Sequence, residues 1–270
     1  MHKPSYLTIR THLRQTIAFL AIAAIWHAQG LGQSSPTTEY IRAGGRLIAV
    51  LHAAPSDFTD LNGQSAEDVS EANLLYVDGV TEGCVSSPLQ FCPTADLTRG
   101  QMAVFIIASV YVALQGPNQT APAGGWVGGA SPLPQYFTDV PPSNSFYDQI
   151  EQMMYIGITD GCSLSPPMYC PAANTTNAEM AVFTMAARSY ILTGSAAAGH
   201  AGDFPYPTTP QCFPDVPSTD PYFPFVQALA QLNVIPCAGV SGPAFGEQNA
   251  ITRIQAVPYA VRGILGEQSY

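Results

Sequence analysis

The chain has 270 residues, of which 47% are hydrophobic and only 10% charged, with 19 acids against 9 lysines and arginines. A net charge of −10 repels nucleic acid and anionic lipid, so no broad basic surface serves either partner, and any anionic ligand must be held locally. So few charges imply a surface of Ser, Thr, Asn, Gln, Gly and Pro, which suits an extracellular protein.

Residues 1–30 read as an export signal. Lys3, Arg10 and Arg14 precede an apolar run, Thr16 to Ile25, that is too short to span a bilayer. Ala28-Gln29-Gly30 then offers small residues for cleavage. A retained N-terminal anchor helix is the other reading of this stretch. Removing the signal leaves six arginines, no lysine and a charge near −13. The expected location is the cell envelope or the extracellular surface, with no membrane insertion after signal removal. Within residues 31–56, Glu39 to Leu51 reads as a short β-hairpin that turns near Ala43-Gly44-Gly45.

From residue 57 onward the sequence repeats itself. Thr98-Arg99-Gly100-Gln101, Thr176-Asn177-Ala178-Glu179 and Thr252-Arg253-Ile254-Gln255 each place Gln or Glu three residues after Thr, ahead of an apolar run. This is the capping box of a helix start. Behind each cap the apolar residues fall at helical spacing: Met102, Phe105, Ile106 and Val110; Met180, Phe183, Ala187 and Ile191; Ile254, Val257, Val261 and Ile264. About 40 residues upstream of each cap stand Phe58-Thr-Asp60, Phe137-Thr-Asp139 and Phe213-Pro-Asp215. The three Phe are 79 and 76 residues apart and the three capping Thr 78 and 76, a shared offset that predicts tandem repeats over 57–115, 136–192 and 212–270. Each unit reads as Phe-x-Asp, a polar loop, a first helix, a Gly-rich turn and the capped second helix. In the second unit the first helix runs from about Tyr147 to Ile156. Residues 116–135 and 193–211, rich in Gly, Pro, Ala, Ser and Thr, read as linkers.

All six Cys lie beyond the signal. The equal spacings Cys84 to Cys92 and Cys162 to Cys170, in an exported chain, predict two small disulfide rings worth about 2.5 kcal/mol each. The third unit has Cys237 but Phe245-Gly246 where its partner should stand, so Cys212–Cys237 is expected, worth about 3.5 kcal/mol. Zinc sites favour Cys-x-x-Cys and His, and only His52 and His200 remain beyond the signal, so no metal is expected. No nucleophile elbow, phosphate loop, zinc-protease motif or dinucleotide fingerprint is present, and no acid pair stands out for glycoside cleavage.

Arg99 and Arg253 sit in the first turn of their helices, where a cation opposes the macrodipole at a cost of roughly 0.3–1 kcal/mol. Either their stems cover apolar surface, or guanidinium and helix N–H groups converge on an anion. Asp60, Asp139 and Asp215 are expected to bond nearby backbone, with sugar hydroxyls as the alternative. Tyr147 and Phe223 either stack on sugar rings or pack in the core.

The motif order resembles the S-layer homology family, whose unit runs Phe-x-Asp-Val, a helix, Gly-Ile-x-x-Gly, Phe-x-Pro and Thr-Arg-Ala-Glu. Gly157-Ile-Thr-Asp-Gly161, Phe91-Cys-Pro93, Tyr169-Cys-Pro171 and the three capped starts carry the likeness over about residues 57 to 266. The resemblance implies a mainly α fold, with three helix–turn–helix units in a pseudo-threefold arrangement behind the hairpin. It implies a non-enzymatic, cofactor-free protein anchored non-covalently to the bacterial envelope through cell-wall polysaccharide or peptidoglycan-associated glycan, with possible fused or associated surface proteins. It nominates Arg99 and Arg253 to hold an anionic group. Asn177 stands where a third Arg belongs, Gln101 and Gln255 replace Glu, and Tyr147 and Phe223 occupy a frequent Trp position, with Asp68 at the corresponding place in the first unit. A structural or protein-interaction module and a secreted carbohydrate-active enzyme are the alternative readings.

Overall fold

A computed structural model of the protein describes residues 40–43, 46–50, 58–116, 133–196 and 210–266. The expected signal and most of both linkers lie outside the described residues. The chain is mainly helical: the described residues form six helices and three two-stranded sheets. Strands β1 (Tyr40–Ala43) and β2 (Arg46–Val50) pair antiparallel, with the register slipping by one residue after Ile41↔Ala49. They are followed by α1 (Ala66–Val77), β3 (Val85–Ser86), β4 (Leu89–Gln90) and α2 (Arg99–Gln115). Next come α3 (Tyr147–Tyr155), β5 (Ser163–Leu164), β6 (Pro167–Met168) and α4 (Asn177–Thr193). The last are α5 (Phe223–Gln231) and α6 (Arg253–Pro258), which runs on as a π-helix, Tyr259–Ile264. Pro258 lacks an N–H for the α ladder, so the helix expected through Ile264 widens after it.

Local chemistry sets the helix starts. The Thr98, Thr176 and Thr252 hydroxyls accept the N–H of Gln101, Glu179 and Gln255, whose side chains accept the Thr N–H in return. On α1, Ser65 accepts from the Asp68 N–H at 3.0 Å. The first helices bury one face: Leu74 and Leu75 on α1, Ile150 and Met153 on α3, Val226 and Leu229 on α5. Helices α2 and α4 differ from the amphipathic expectation. Ile106, Ile107, Ala108, Ser109 and Val110 are all buried on α2, because α3 flanks it on one side and α4 and the π-helix on the other.

A closed circuit of backbone hydrogen bonds ties the second helices together. Leu97 N–H donates to Ile251 O at 2.9 Å, Thr175 N–H to Leu97 O at 2.8 Å, and Ile251 N–H to Thr175 O at 2.9 Å. Each helix tip is then capped by a loop remote in sequence. Arg99 and Gly100 donate to Ala173 and Pro171, Asn177 and Ala178 to Asn249 and Glu247, and Arg253 and Ile254 to Ala95 and Pro93. The helix packing follows the same circuit, with α2 on α3, α4 on α5 and α6 on α1.

Cys84–Cys92, Cys162–Cys170 and Cys212–Cys237 are bonded, the three pairs that spacing suggested. Cys92 and Cys170 are left-handed, with φ of 57° and 59°. At the matching place in the last loop Gly246 has φ 70°, a conformation that glycine takes without steric cost.

Candidate functional site

Arg99 and Arg253 do not point from their helix tips into water. They are 3% and 4% exposed. Arg99 Nε donates to Tyr169 O at 2.8 Å, its Nη1 pairs with the Glu179 carboxylate, and its guanidinium lies 4.8 Å from the centre of the Tyr169 ring. Arg253 repeats the pose on Phe91, with Nε donating to Phe91 O at 2.8 Å and the guanidinium 5.1 Å from the ring centre. The expected convergence of helix N–H groups on an anion is therefore corrected. Remote carbonyls and capping side chains take the first-turn donors of α2 and α6, since closing the circuit of helices requires it.

Nη2 of both arginines is buried and has no hydrogen-bond partner among the described residues. The two differ in charge balance. Arg99 faces Glu179, the acidic end of a capping box. Arg253 lines a cavity of 460 Å³ together with the capping-box residue Gln101. Among the described residues Arg253 forms no ion pair. Burial pushes its guanidinium below the usual arginine value, with the charge of Asp60 pulling the other way. Arginine still stays protonated at any physiological pH. The Arg253 cavity is bounded by the turn from Gly79 to Cys84, by Phe105 on α2, and by Phe146 and Gln149 at the start of α3.

A second cavity, also 460 Å³, lies at Asn177. Here the amide Nδ2 donates to Phe245 O and Gly246 O at 3.1 and 3.0 Å. Glu67 and Asp68 line this cavity together with Arg262. Arg262 Nη2 lies 2.6 Å from Glu67. Burial alone would lower Arg262, but Glu71, Glu67 and Asp68 outweigh it and raise the value. The Asn177 cavity thus offers an anion no uncommitted cation.

The three aspartates brace the fold. Asp60 accepts the N–H groups of Phe91 and Cys92, Asp139 those of Tyr169 and Cys170, and Asp215 those of Phe245 and Gly246, all at 2.7–2.8 Å. These bonds span about 30 residues and are not the local turn contacts expected. Tyr147 donates its hydroxyl to Leu133 O at 3.0 Å and, like Phe223, packs half-buried on the core. The Arg253 cavity is lined instead by Phe105 and by Phe146, the neighbour of Tyr147, which sequence reasoning missed. The signal was Gly100, where the family motif has Ala. A Cβ on Gly100 would fall 2.5 Å from the Phe146 ring.

The S-layer homology domain model matches residues 213–257, from the Phe-Pro-Asp start through the capped helix at Arg253. Over those residues the chain is similar to an S-layer homology domain. S-layer homology domains are wall-anchoring modules without catalytic chemistry, and they place a protein at the cell surface. The disulfides agree with an oxidising, extracellular setting. Among the described residues no helix is long and apolar enough to cross a membrane. No curated protein matches the chain significantly.

Proposed function

We propose that the protein is exported and attaches non-covalently to the cell envelope by gripping an acidic wall glycan in the cavity at Arg253. Residues 57–115, 136–192 and 212–270 act as three S-layer homology units in a pseudo-threefold body, a reading supported by the hydrogen-bond circuit through Leu97, Thr175 and Ile251. The observation that carries the proposal is a buried cation with no counter-ion among the described residues, on a residue that lines an open cavity. An anionic group in the cavity supplies the counter-charge that Arg253 lacks. Asp60, Asp139 and Asp215 hold the loops that shape the cavities. Arg99, balanced by Glu179, serves chiefly as an internal clamp between α2 and α4.

The test is retention on purified wall sacculi. The wild-type chain should be retained, and Arg253→Gln should lower retention at least tenfold. Gln101→Glu, which gives Arg253 an internal partner, should do the same while leaving the fold intact. Full retention of both variants would refute the assignment to Arg253.

A further inference from the structure

Asn or Asp stands directly before Gly at Asn62-Gly63, Asp78-Gly79 and Asp160-Gly161. At such a step the glycine backbone nitrogen lies within reach of the preceding side-chain carbonyl carbon, and no Cβ on the glycine blocks its approach. The fold treats the three steps differently. Gly79 N–H donates to Tyr76 O at 3.0 Å, and Asp78 is 1% exposed. Gly161 N–H donates to Thr159 Oγ1 at 3.0 Å, and a Cβ there would fall 2.3 Å from Met168 O. Both of those nitrogens are engaged. Asn62 and Gly63 are exposed at the centre of the turn that Gln64 N–H closes on Leu61 O at 3.1 Å, with Gly63 at φ 91°. A positive φ at the third residue alone marks a type II turn, whose third N–H takes no part in the closing bond. Gly63 N–H has no hydrogen-bond partner among the described residues, and a Cβ on Gly63 would meet nothing within 4 Å. The Asn62 amide is held only loosely, donating to Thr59 O at 3.4 Å.

We propose that Asn62 is a self-modification site, at which the Gly63 nitrogen displaces the side-chain amide. The bond from Gly63 N to Asn62 Cγ forms and the bond from Cγ to Nδ2 breaks. Nδ2 leaves as ammonia, taking the proton that Gly63 N gives up, and a succinimide ring remains. Water then opens the ring at one carbonyl or the other, giving an aspartyl or an isoaspartyl residue. The sum is amide plus water to carboxylic acid plus ammonia, with nothing oxidised or reduced. The turn joins two fixed points. On one side Leu61 is buried next to Asp60, which accepts the N–H groups of Phe91 and Cys92. On the other, Ser65 caps α1 through the Asp68 N–H. The isoaspartyl product carries the backbone through its Cβ and so adds an atom to a span pinned at both ends. That strains the cap of α1, the helix that packs on α6 and pairs Glu67 and Glu71 with Arg262. The aspartyl product keeps the turn as it is. The site therefore loosens the joint between α1 and α6 slowly and irreversibly, through the turn's own chemistry.

The test is to hold the intact, disulfide-bonded chain for several days at body temperature in mildly alkaline buffer and then map its peptides by mass spectrometry. Aspartyl and isoaspartyl products should accumulate at Asn62 at a rate within about threefold of that in the urea-unfolded chain, while the fold should slow isomerisation at Asp78 and Asp160 about tenfold or more. Slowing of Asn62 by the fold as strong as that of the two aspartates overturns the proposal. Asn62→Gln, which has to close a larger and slower ring, should abolish products at this position and leave the melting of fresh protein unchanged. Ammonia release from Asn62→Gln at the wild-type rate overturns the assignment to Asn62. Separated from the aged wild type, the isoaspartyl form should melt about 2–4 °C below the aspartyl form, as loss of a helix cap does in a chain of this size, and Asn62→Asp should melt like the aspartyl form. Equal melting of the two forms overturns the coupling to α1.

Discussion

Replacing Gln101 with Glu separates the two arginines in a single step. At Arg99 the fold already contains the outcome: a capping-box Glu reaches across to the neighbouring guanidinium. At Arg253 the same position holds a neutral amide. Gln101→Glu keeps the capping box, because a carboxylate accepts the Thr98 N–H as the amide oxygen does. It also supplies a charged partner to a guanidinium that is 4% exposed. A hydrogen bond to a charged group contributes about 1.5–3 kcal/mol, and desolvating the new carboxylate at a half-buried position offsets part of it. A net gain of about 1–2 kcal/mol at pH 7 is expected, read by urea denaturation. Pairing depresses the folded-state pKa of the new Glu. The gain is therefore present above the ordinary glutamate range and lost as pH falls through the depressed value. A bound anion must now displace that carboxylate, so acidic-sugar affinity should drop about ten- to 150-fold, matching the same 1.5–3 kcal/mol. A variant that is stabilised yet binds as before would show that the anion does not use Arg253. A variant with neither change would show that residue 101 does not reach it.

Three further outcomes follow from particular contacts. Thr175→Val should stabilise the chain by about 1–2 kcal/mol in chemical denaturation, since Thr175 Oγ1 is buried with no hydrogen-bond partner among the described residues and its companions in the circuit are the aliphatic Leu97 and Ile251; a loss of stability would show that the hydroxyl is satisfied. Glu151 is buried where it accepts the Tyr136 N–H at 2.8 Å, and burial raises its pKa despite the bonds from Tyr136 and Phe137. The wild type should therefore lose stability as pH climbs from about 4.5 through the raised value. Glu151→Gln should flatten that slope and gain somewhat under about 1 kcal/mol at pH 7, since Gln227 already accepts the Cys212 N–H at the matching place on α5. An isolated piece spanning 212–266 should give no cooperative melt even with Cys212–Cys237 formed, because the tip of α6 takes its partners from Ala95 and Pro93; a sharp melting transition in that piece would refute the dependence.

Much of the helical framework was legible because each start has a chemical signature. The capping boxes at Thr98, Thr176 and Thr252 mark their helices to the residue. Two of the three cysteine pairs were legible from their equal spacing, and the third from the two cysteines that remained. The site was legible in its residue types and not in its geometry. Arg99 and Arg253 stand out in sequence, but their burial depends on loops about 70 and 160 residues away, which no local pattern encodes. The aspartates likewise reach backbone about 30 residues on. Tyr147 had stacking on sugar and core packing as its two readings, and it packs on the core, while Phe146, one position earlier, lines the cavity, because periodicity places a residue on a helix but not at its entrance. Pro258 was in plain view, yet its effect on the last helix depends on whether the packing around it favours a kink, a stop or a wider turn.

The bonds from Arg253 and Ile254 back to Ala95 and Pro93 join parts of the chain about 160 residues apart. Synthesis supplies the two sides of that seam far apart in time. Until residues near 250 have emerged, the carbonyls of Pro93 and Ala95 and the ring of Phe91 have no covering helix. A nascent or truncated chain therefore exposes an adhesive edge on its leading portion, and acquisition of the native state is paced by a long-range docking event and not by helix formation. An order of events in which docking waits until both sides of the seam have been made is the one that this architecture rewards.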